Sequence, residues 1–400
     1  MYNYILEGCA LLIHYLDNSA TTPLSDTAKA RMTEAMEIFG NPSSLHREGD
    51  RAARALKEAR RDVLLTLGVR ATSDEQLKSL VFTSCGTEAT SLAIFGSAYA
   101  KERREATRIL TTDSEHPATY NALDLLAKDG FEIVKISTKG GVLNTDELIT
   151  ALSKPIFLAT FMLVNNETGA LYDVKGAFDA IKKKYPAAIT HCDAVQGYLK
   201  VRFAPTTLGA DLISLSGHKV HGPKGVGALY ISPRMIKEKR IAPFLVGGGQ
   251  EHGMRSGTEN TIGILGFATA AKEGFANMPQ DVAYISELRD YAKMSLSELE
   301  VKINEPAKAA PHVLSITLPS IKSQTMLSYL SGRGICVSSG SACSSHSTNT
   351  SPTLLAFGLT DREADSTIRI SFSRYNAKED IDALVCALRD GISTLVRIRR

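Results

Sequence analysis

The chain has 400 residues, 44% of them hydrophobic and 22% charged. That composition excludes a disordered, collagen-like or coiled-coil protein and suits roughly two to three domains, or one large domain with a small one. Lysine and arginine number 46 against 43 aspartate and glutamate, a net charge of +3. This balance is too weak to argue for nucleic acid or an anionic membrane surface as a partner. No apolar run reaches the ~18 residues that a membrane span needs. The opening MYNYILEGCALLIH has no basic region and is interrupted by a glutamate, so no signal peptide is expected. Cys9, Cys85, Cys192, Cys336, Cys343 and Cys386 are scattered, with no CxxC pair. A reduced, cytoplasmic protein is expected, rather than a disulfide scaffold or a zinc protein.

In chain order, Ser25 is a candidate cap for a helix that closes at Gly40, with Ala28, Met32, Ala35, Met36 and Phe39 on one face. A second helix is predicted from Arg47 to Leu67. It turns Ala52, Ala55, Leu56, Ala59, Val63 and Leu64 inward and stops at Gly68. Short apolar runs of strand length follow: SLVFTS, RILTT, FEIVKIS, IFLATFMLV, AAITHC, DLISLS and GVGALYIS, most of them separated by helical patterns. Near-continuous apolar strands alternating with helices predict an α/β fold, with a mostly parallel sheet between helices. The last third differs. Long helical patterns run from about Val282 to Lys302 and from Asp380 to Arg400, and the strands VLSITL, ICVSS and TIRISFS lie between them. This predicts a large domain over 15–262 and a smaller α+β domain over 263–400, with 1–14 packed near the small one. The Ser-rich stretch from Ser338 to Ser351 has nothing to bury and reads as a mobile loop.

In a parallel sheet, ligands bind beyond the carboxyl ends of the strands, so chemistry is sought there. Cys85-Gly86-Thr87-Glu88 follows one strand and opens a helix, either as a phosphate seat or as ordinary capping. His116 follows the next strand, and Asn166 lies in the polar turn after FMLV. Asp193 ends AAITHCD, where it could hold a cationic ligand nitrogen or merely cap a helix. Gly217-His218-Lys219 ends another strand, in a Gly- and Pro-rich turn. A phosphate seat, a carboxylate and a primary amine in one crevice are the parts that pyridoxal phosphate requires. A dinucleotide site is the competitor, but no GxGxxG follows the first strand, and Gly247-Gly248-Gly249 lies elsewhere.

At this point the motifs carry a resemblance. They are YLDNSATTP at 15–23, NPSSLH at 41–46, TSCGTEAT at 83–90, EHPA at 115–118, VNNETG at 164–169 and HCDAVQG at 191–197. SLSGHKVHGPKG at 214–225, GGGQEHGMRSGTEN at 247–260 and SSGSACSS at 338–345 complete the set. From about His14 to Ala387 the chain resembles the pyridoxal-phosphate-dependent cysteine desulfurases of the iron–sulfur cluster assembly type, in aminotransferase class V. The resemblance implies a fold-type I transferase. It makes Lys219 the Schiff-base lysine, Asp193 the partner of the pyridine nitrogen, and Gln196 and Asn166 the neighbours of the ring hydroxyl oxygen. His116 would stack on the ring and move protons. Gly86, Thr87, Ser216 and His218 would hold the phosphate, and Thr258 would reach the phosphate of a neighbouring subunit, hence a homodimer. Asn41 and Arg369 would clamp the substrate carboxylate.

Cys343 resembles the nucleophile, which attacks the sulfur of L-cysteine and carries it as a persulfide to an acceptor protein such as an iron–sulfur scaffold. No metal site is expected, beyond a transient iron–sulfur contact at Cys343. The rival enzyme reading is selenocysteine lyase or another class V activity. The rival from another class is a sulfur carrier that has lost catalysis, which an altered Lys219, Asp193 or Cys343 would have supported. Cys85 stands where the family has a small residue. It and Cys192 are expected to be buried packing residues.

Overall fold

Seven of the short apolar segments pair into one sheet in the order Leu80–Thr83, Gly227–Ile231, Leu212–Ser216, Ile189–Asp193, Leu158–Met162, Arg108–Thr112 and Glu132–Ile136. Gly227–Ile231 runs antiparallel to both its neighbours, and the remaining pairings are parallel. The computed structural model describes residues 2–6, 9–100, 106–340 and 350–396. Six of the seven strands are buried along their whole length, as expected of a sheet covered on both faces. The seventh, Glu132–Ile136, is an edge strand and is partly exposed.

Helices cover the sheet because each buries an apolar stripe. The Arg47–Thr66 helix turns Ala52, Ala55, Leu56, Ala59, Val63 and Leu64 into the core, the face predicted for it. The Asp26–Ala35 helix is capped by Ser25, whose side chain accepts from the Ala28 N–H. It ends five residues before Gly40, because Met36 and Phe39 are exposed and have nothing to pack against.

The long helix departs from prediction. It spans Thr261–Leu296, 36 residues with Pro279 inside, rather than starting near Val282. Its first three turns are buried nearly all round, from Gly263 to Ala268 and again at Ala270 and Ala271, so no amphipathic period marks them. Gly266 lets the helix close on Met32, and a Cβ at Gly274 would meet Leu199 Cδ1 at 3.0 Å. Residues 264–271 belong to the core of the large sheet. Residues 285–296 belong to a second core with Leu314, Ile316, Ile368, Ile370, Leu384 and Leu388.

That second core lies on an antiparallel sheet ordered Lys302–Ile303, Val313–Thr317, Thr367–Ser371 and Ser338–Ser339. Ser338 and Ser339 are therefore strand, not loop, and Ser351 caps the Pro352–Phe357 helix. Residues 341–349 lie outside the described residues. The carboxy-terminal helix is Lys378–Thr394, with Ile381, Leu384, Val385 and Leu388 buried. The segments Tyr2–Leu6, Cys9–Tyr15 and Ile335–Cys336 form a third, small sheet. No helix among the described residues is long and apolar enough to cross a membrane.

Candidate active site

The strands of the large sheet end together at a cavity of about 380 Å³. Gly86, Thr87, His116, Asn166, Asp193, Gln196, Ser216, His218, Lys219 and Arg369 all line it. Larger grooves elsewhere on the surface hold none of these residues.

Each residue is placed by its element. Asp193 is the last residue of its strand, and its Oδ1 accepts from the Val195 N–H at 3.0 Å. Burial pushes this carboxyl above its ordinary range, opposed by the nearby His116 and Lys219. A cationic partner in the cavity would hold it anionic. Lys219 ends the tight turn after Leu212–Ser216, and its ammonium donates to the carbonyls of Ser19 at 2.6 Å and Ala20 at 2.7 Å. His116 caps the Pro117–Lys128 helix. Its Nδ1 accepts from the Ala118 N–H at 3.1 Å. Burial lowers its proton affinity, and Asp193 works against that. His218 is pushed down to about 4 by burial and by Lys219, and its Nδ1 lies 3.1 Å from Thr21 Oγ1.

Arg369 sits on the Thr367–Ser371 strand of the small sheet and enters the cavity from the opposite side. Its Nη1 donates to the Asn166 carbonyl and its Nη2 to Asp17 Oδ1, both at 2.9 Å. Its Nε is buried with no hydrogen-bond partner among the described residues. A guanidinium already fixed at two corners thus keeps a third donor for an incoming anion.

A family model for aminotransferase class-V matches residues 14–384. The chain belongs to that family. A cysteine desulfurase of Trichormus azollae is 36% identical over 377 residues, covering 93% of this chain and 90% of that protein. Among solved structures, a NifS-like protein aligns with a TM-score of 0.88 at 34% identity, over 96% of this chain and all of the other (100%). SspA in complex with cysteine aligns with a TM-score of 0.78 at 29% identity, over 91% of this chain and 99% of the other. Within class V, then, this chain sits among the cysteine desulfurases.

The cofactor of these class-V enzymes is pyridoxal 5′-phosphate, and the residues present fit it. Ser216 Oγ is buried at the cavity with no partner among the described residues, an orphaned donor that a phosphate oxygen would satisfy. The Gly86–Tyr99 helix opens beside it. Its cap, Cys85, makes no side-chain hydrogen bond to the first turn, so that turn is left open to an anion. A Cβ at Gly86 would stand 2.8 Å from Val195 Cγ2 and 3.3 Å from Ser216 Cβ, so only glycine keeps this cradle open. Asp193 would supply the carboxylate and Lys219 the amine.

Not every expected residue lies in the cavity of a single chain. Asn41 is exposed, with its Oδ1 accepting from the Ser43 N–H, and Thr258 is exposed too. Neither lines the cavity. Cys343 lies outside the described residues. The Gln196 amide is engaged by the protein itself: its Nε2 donates to the Ser19 carbonyl at 2.9 Å, and its Oε1 lies 3.4 Å from His312 Nε2. Cys192 is buried as expected, but Cys85 is partly exposed and lines the cavity, because its backbone caps the phosphate-side helix. Among the described residues no cluster of three or more histidine, cysteine and acidic side chains could hold a metal.

Several contributing residues are not singled out by the sequence. Ser19 and Ala20 supply the carbonyls that aim Lys219, and Asp17 holds Arg369. Glu115 is buried beside His116, accepting from Thr112 Oγ1 and the Met162 N–H. Burial pushes it up to about 8, and Asp193 adds to the effect. A buried chain of Thr160, His191, Ser214 and Thr90 backs the cavity. Their signal was present: Asp17 and Ser19 lie in YLDNSATTP, Glu115 in EHPA and His191 in HCDAVQG.

Proposed function

We propose that this chain converts L-cysteine to L-alanine and carries the released sulfur as a persulfide on Cys343, for delivery to an acceptor protein such as an iron–sulfur scaffold. The supporting observation is a juxtaposition. The cavity that holds Lys219, Asp193 and Arg369 is also lined by Ser338, Ser339 and Gly340. Cys343 follows Gly340 by three residues, a reach of at most about 11 Å of chain.

Bound pyridoxal 5′-phosphate supplies a carbonyl carbon for the substrate amine and an electron-accepting ring for the charge released at the α-carbon. The remaining roles belong to the protein. Gly86, Thr87, Ser216 and His218 hold the phosphate, and Thr258 of a second copy completes the seat. Asp193 keeps a proton on the ring nitrogen, while Gln196 and Asn166 border the ring oxygen. Arg369 binds the substrate carboxylate, without Asn41, which does not reach this cavity. Lys219 takes the α-proton, and Lys219 and His116 return protons to carbon. The Cys343 thiolate attacks the substrate Sγ: the C–S bond breaks, an S–S bond forms, and the β-carbon takes up a proton. One cysteine and one thiol thereby become one alanine and one persulfide.

The homodimer reading has support in the surface. Phe39, Leu45 and Val246 are 79%, 103% and 75% exposed, large apolar side chains that a second copy would cover. Leu245 also bridges to Arg255 in the loop that carries Thr258. Free thiols such as Cys85, Cys336 and Cys386 persist in a reducing compartment, so the reading is cytoplasmic.

The test is alanine production from L-cysteine by cofactor-loaded wild type and Cys343→Ser. Loss of alanine in the variant, with its cofactor absorbance intact, supports the reading. Equal rates would remove Cys343 from the mechanism and favour another class V activity.

A further inference from the structure

Glu167 follows Asn166 in the turn that borders the cavity, yet it faces away from the cofactor seat. Its Oε2 accepts from Ser351 Oγ at 2.6 Å. The same oxygen stands against the backbone of Gly340, where any Cβ would overlap it, and that Cβ would also meet Ser351 Cβ at 3.2 Å. Gly340 therefore packs closely against both the Glu167 carboxylate and Ser351, leaving no room for a side chain there. Gly340 and Ser351 flank residues 341–349, and Cys343 is in that segment. Thr353, on the short helix that Ser351 caps, is a further hydrogen-bond donor to Glu167.

The same stems connect to the substrate arginine. Ser338 Oγ donates to Asp17 Oδ2 at 2.8 Å, and Asp17 Oδ1 accepts from Arg369 at 2.9 Å. Ser338 also pairs with Arg369 across the strands. Arg369 returns to the Glu167 turn through the Asn166 carbonyl. The circuit closes: Arg369 to Asp17 to Ser338 on one stem, and Arg369 to the Asn166–Glu167 turn to Ser351 on the other.

We propose that Glu167 is a positioning residue that clamps Gly340 to Ser351, so that the segment carrying Cys343 leaves and re-enters the fold at one point fixed relative to Arg369. This rests on the reading of Cys343 as the sulfur acceptor. Its physical content is effective concentration. A chain segment whose ends are held together beside the substrate-carboxylate donor samples a smaller volume than one whose ends are splayed. Arg369 itself keeps its contacts when the clamp is opened, so substrate binding is spared and sulfur transfer is not. Burial pushes the Glu167 carboxyl up to about 7, with Ser351 and Arg369 opposing.

The test uses the cofactor-loaded enzyme with Ser351→Ala, Glu167→Ala and the conservative Glu167→Gln, which keeps an acceptor for Ser351. Two readouts are needed besides turnover. One is the cofactor absorbance change on titration with L-cysteine. The other is the iodoacetamide alkylation rate of Cys343, measured by peptide mass spectrometry against exposed Cys386 in the same sample. Losing one hydrogen bond of about 1 kcal/mol shifts the stem equilibrium about fivefold, so Cys343 alkylation shifts by that order while Cys386 does not. The competent population shrinks by the same order, so kcat falls by up to about fivefold in Ser351→Ala and by more in Glu167→Ala, which also loses the Thr353 contact, with the cysteine titration unchanged. Glu167→Gln restores most of it. Unchanged Cys343 alkylation in Ser351→Ala and Glu167→Ala, or loss of the cysteine titration together with kcat, overturns the clamp. Alanine production that survives Cys343→Ser overturns the sulfur-acceptor reading instead, and the alkylation comparison still decides the clamp.

Discussion

Replacing Arg369 by lysine tests the substrate end of the site. The arginine is 7% exposed, and its three kinds of nitrogen have separate tasks: Nη2 on Asp17, Nη1 on the Asn166 carbonyl, Nε unpartnered among the described residues. Removing the charge outright would leave Asp17 without its cation and cost about 3–5 kcal/mol of stability, which confounds any kinetic result. Lysine keeps the charge beside Asp17 but offers one nitrogen where the fork offered three. The substrate carboxylate then loses at least one charge-assisted hydrogen bond, about 1.5–3 kcal/mol, or about 10- to 150-fold in kcat/KM. The loss falls mainly on KM, because the carboxylate is bound equally before and during sulfur transfer. The assay is initial alanine formation against L-cysteine concentration, with cofactor content measured on the same samples. Cysteamine, which lacks the carboxylate, should bind wild type more weakly by a similar factor and should not distinguish the two proteins. Unchanged KM for L-cysteine in Arg369→Lys, with cofactor retained, would refute the assignment.

Ser216→Ala should weaken cofactor affinity by about 10- to 150-fold, the worth of a hydrogen bond to a charged group. The cofactor-free protein should be as stable as wild type or more so, because an orphaned buried hydroxyl is gone. Cofactor titration and denaturant unfolding read the two signs separately. Glu115, held protonated up to about 8 by burial, binds a proton more tightly folded than unfolded. The contribution of this group to the stability of the cofactor-free protein is therefore lost as pH rises from about 4.5 to about 8, by up to about 1.4 kcal/mol per pH unit, and Glu115→Gln should remove that part of the slope. His191 is held neutral to about 3 by burial, so its contribution has the opposite sign. This contribution should fall as pH drops from about 6.5 toward 3. In Glu115→Gln, where the opposing slope is gone, a urea midpoint that did not move between pH 7 and pH 5 would count against it.

Much of the sheet was legible because its strands are short apolar runs with no polar face to blur them, from Leu80–Thr83 to Gly227–Ile231. The cavity residues at strand ends were legible for the same reason. A lysine or aspartate directly after a buried strand has one place to go, as Lys219 and Asp193 show. The first half of the Thr261–Leu296 helix was not legible. Gly263, Gly266, Gly274 and Pro279 lower its helix propensity, and burial on every side from Gly263 to Ala271 erases the period that amphipathic packing leaves in its first turns. The supporting contacts were hidden for a different reason. Lys219 rests on carbonyls 200 and 199 residues away, and Arg369 on a carboxylate 352 residues away. Neither pairing leaves a local pattern, so Asp17, Ser19 and Glu167 emerge only when the two sheets face each other.

The measurement that bears most directly on the central claim is a single turnover, with cofactor-loaded enzyme in excess over L-cysteine and quenched by alkylation. Peptide mass spectrometry and alanine quantification are then run on the same sample. One added sulfur atom on the Cys343 peptide for each alanine formed, and none on the Cys85, Cys336 or Cys386 peptides, is the predicted result. Alanine formed with Cys343 unmodified and sulfur free in solution would contradict it.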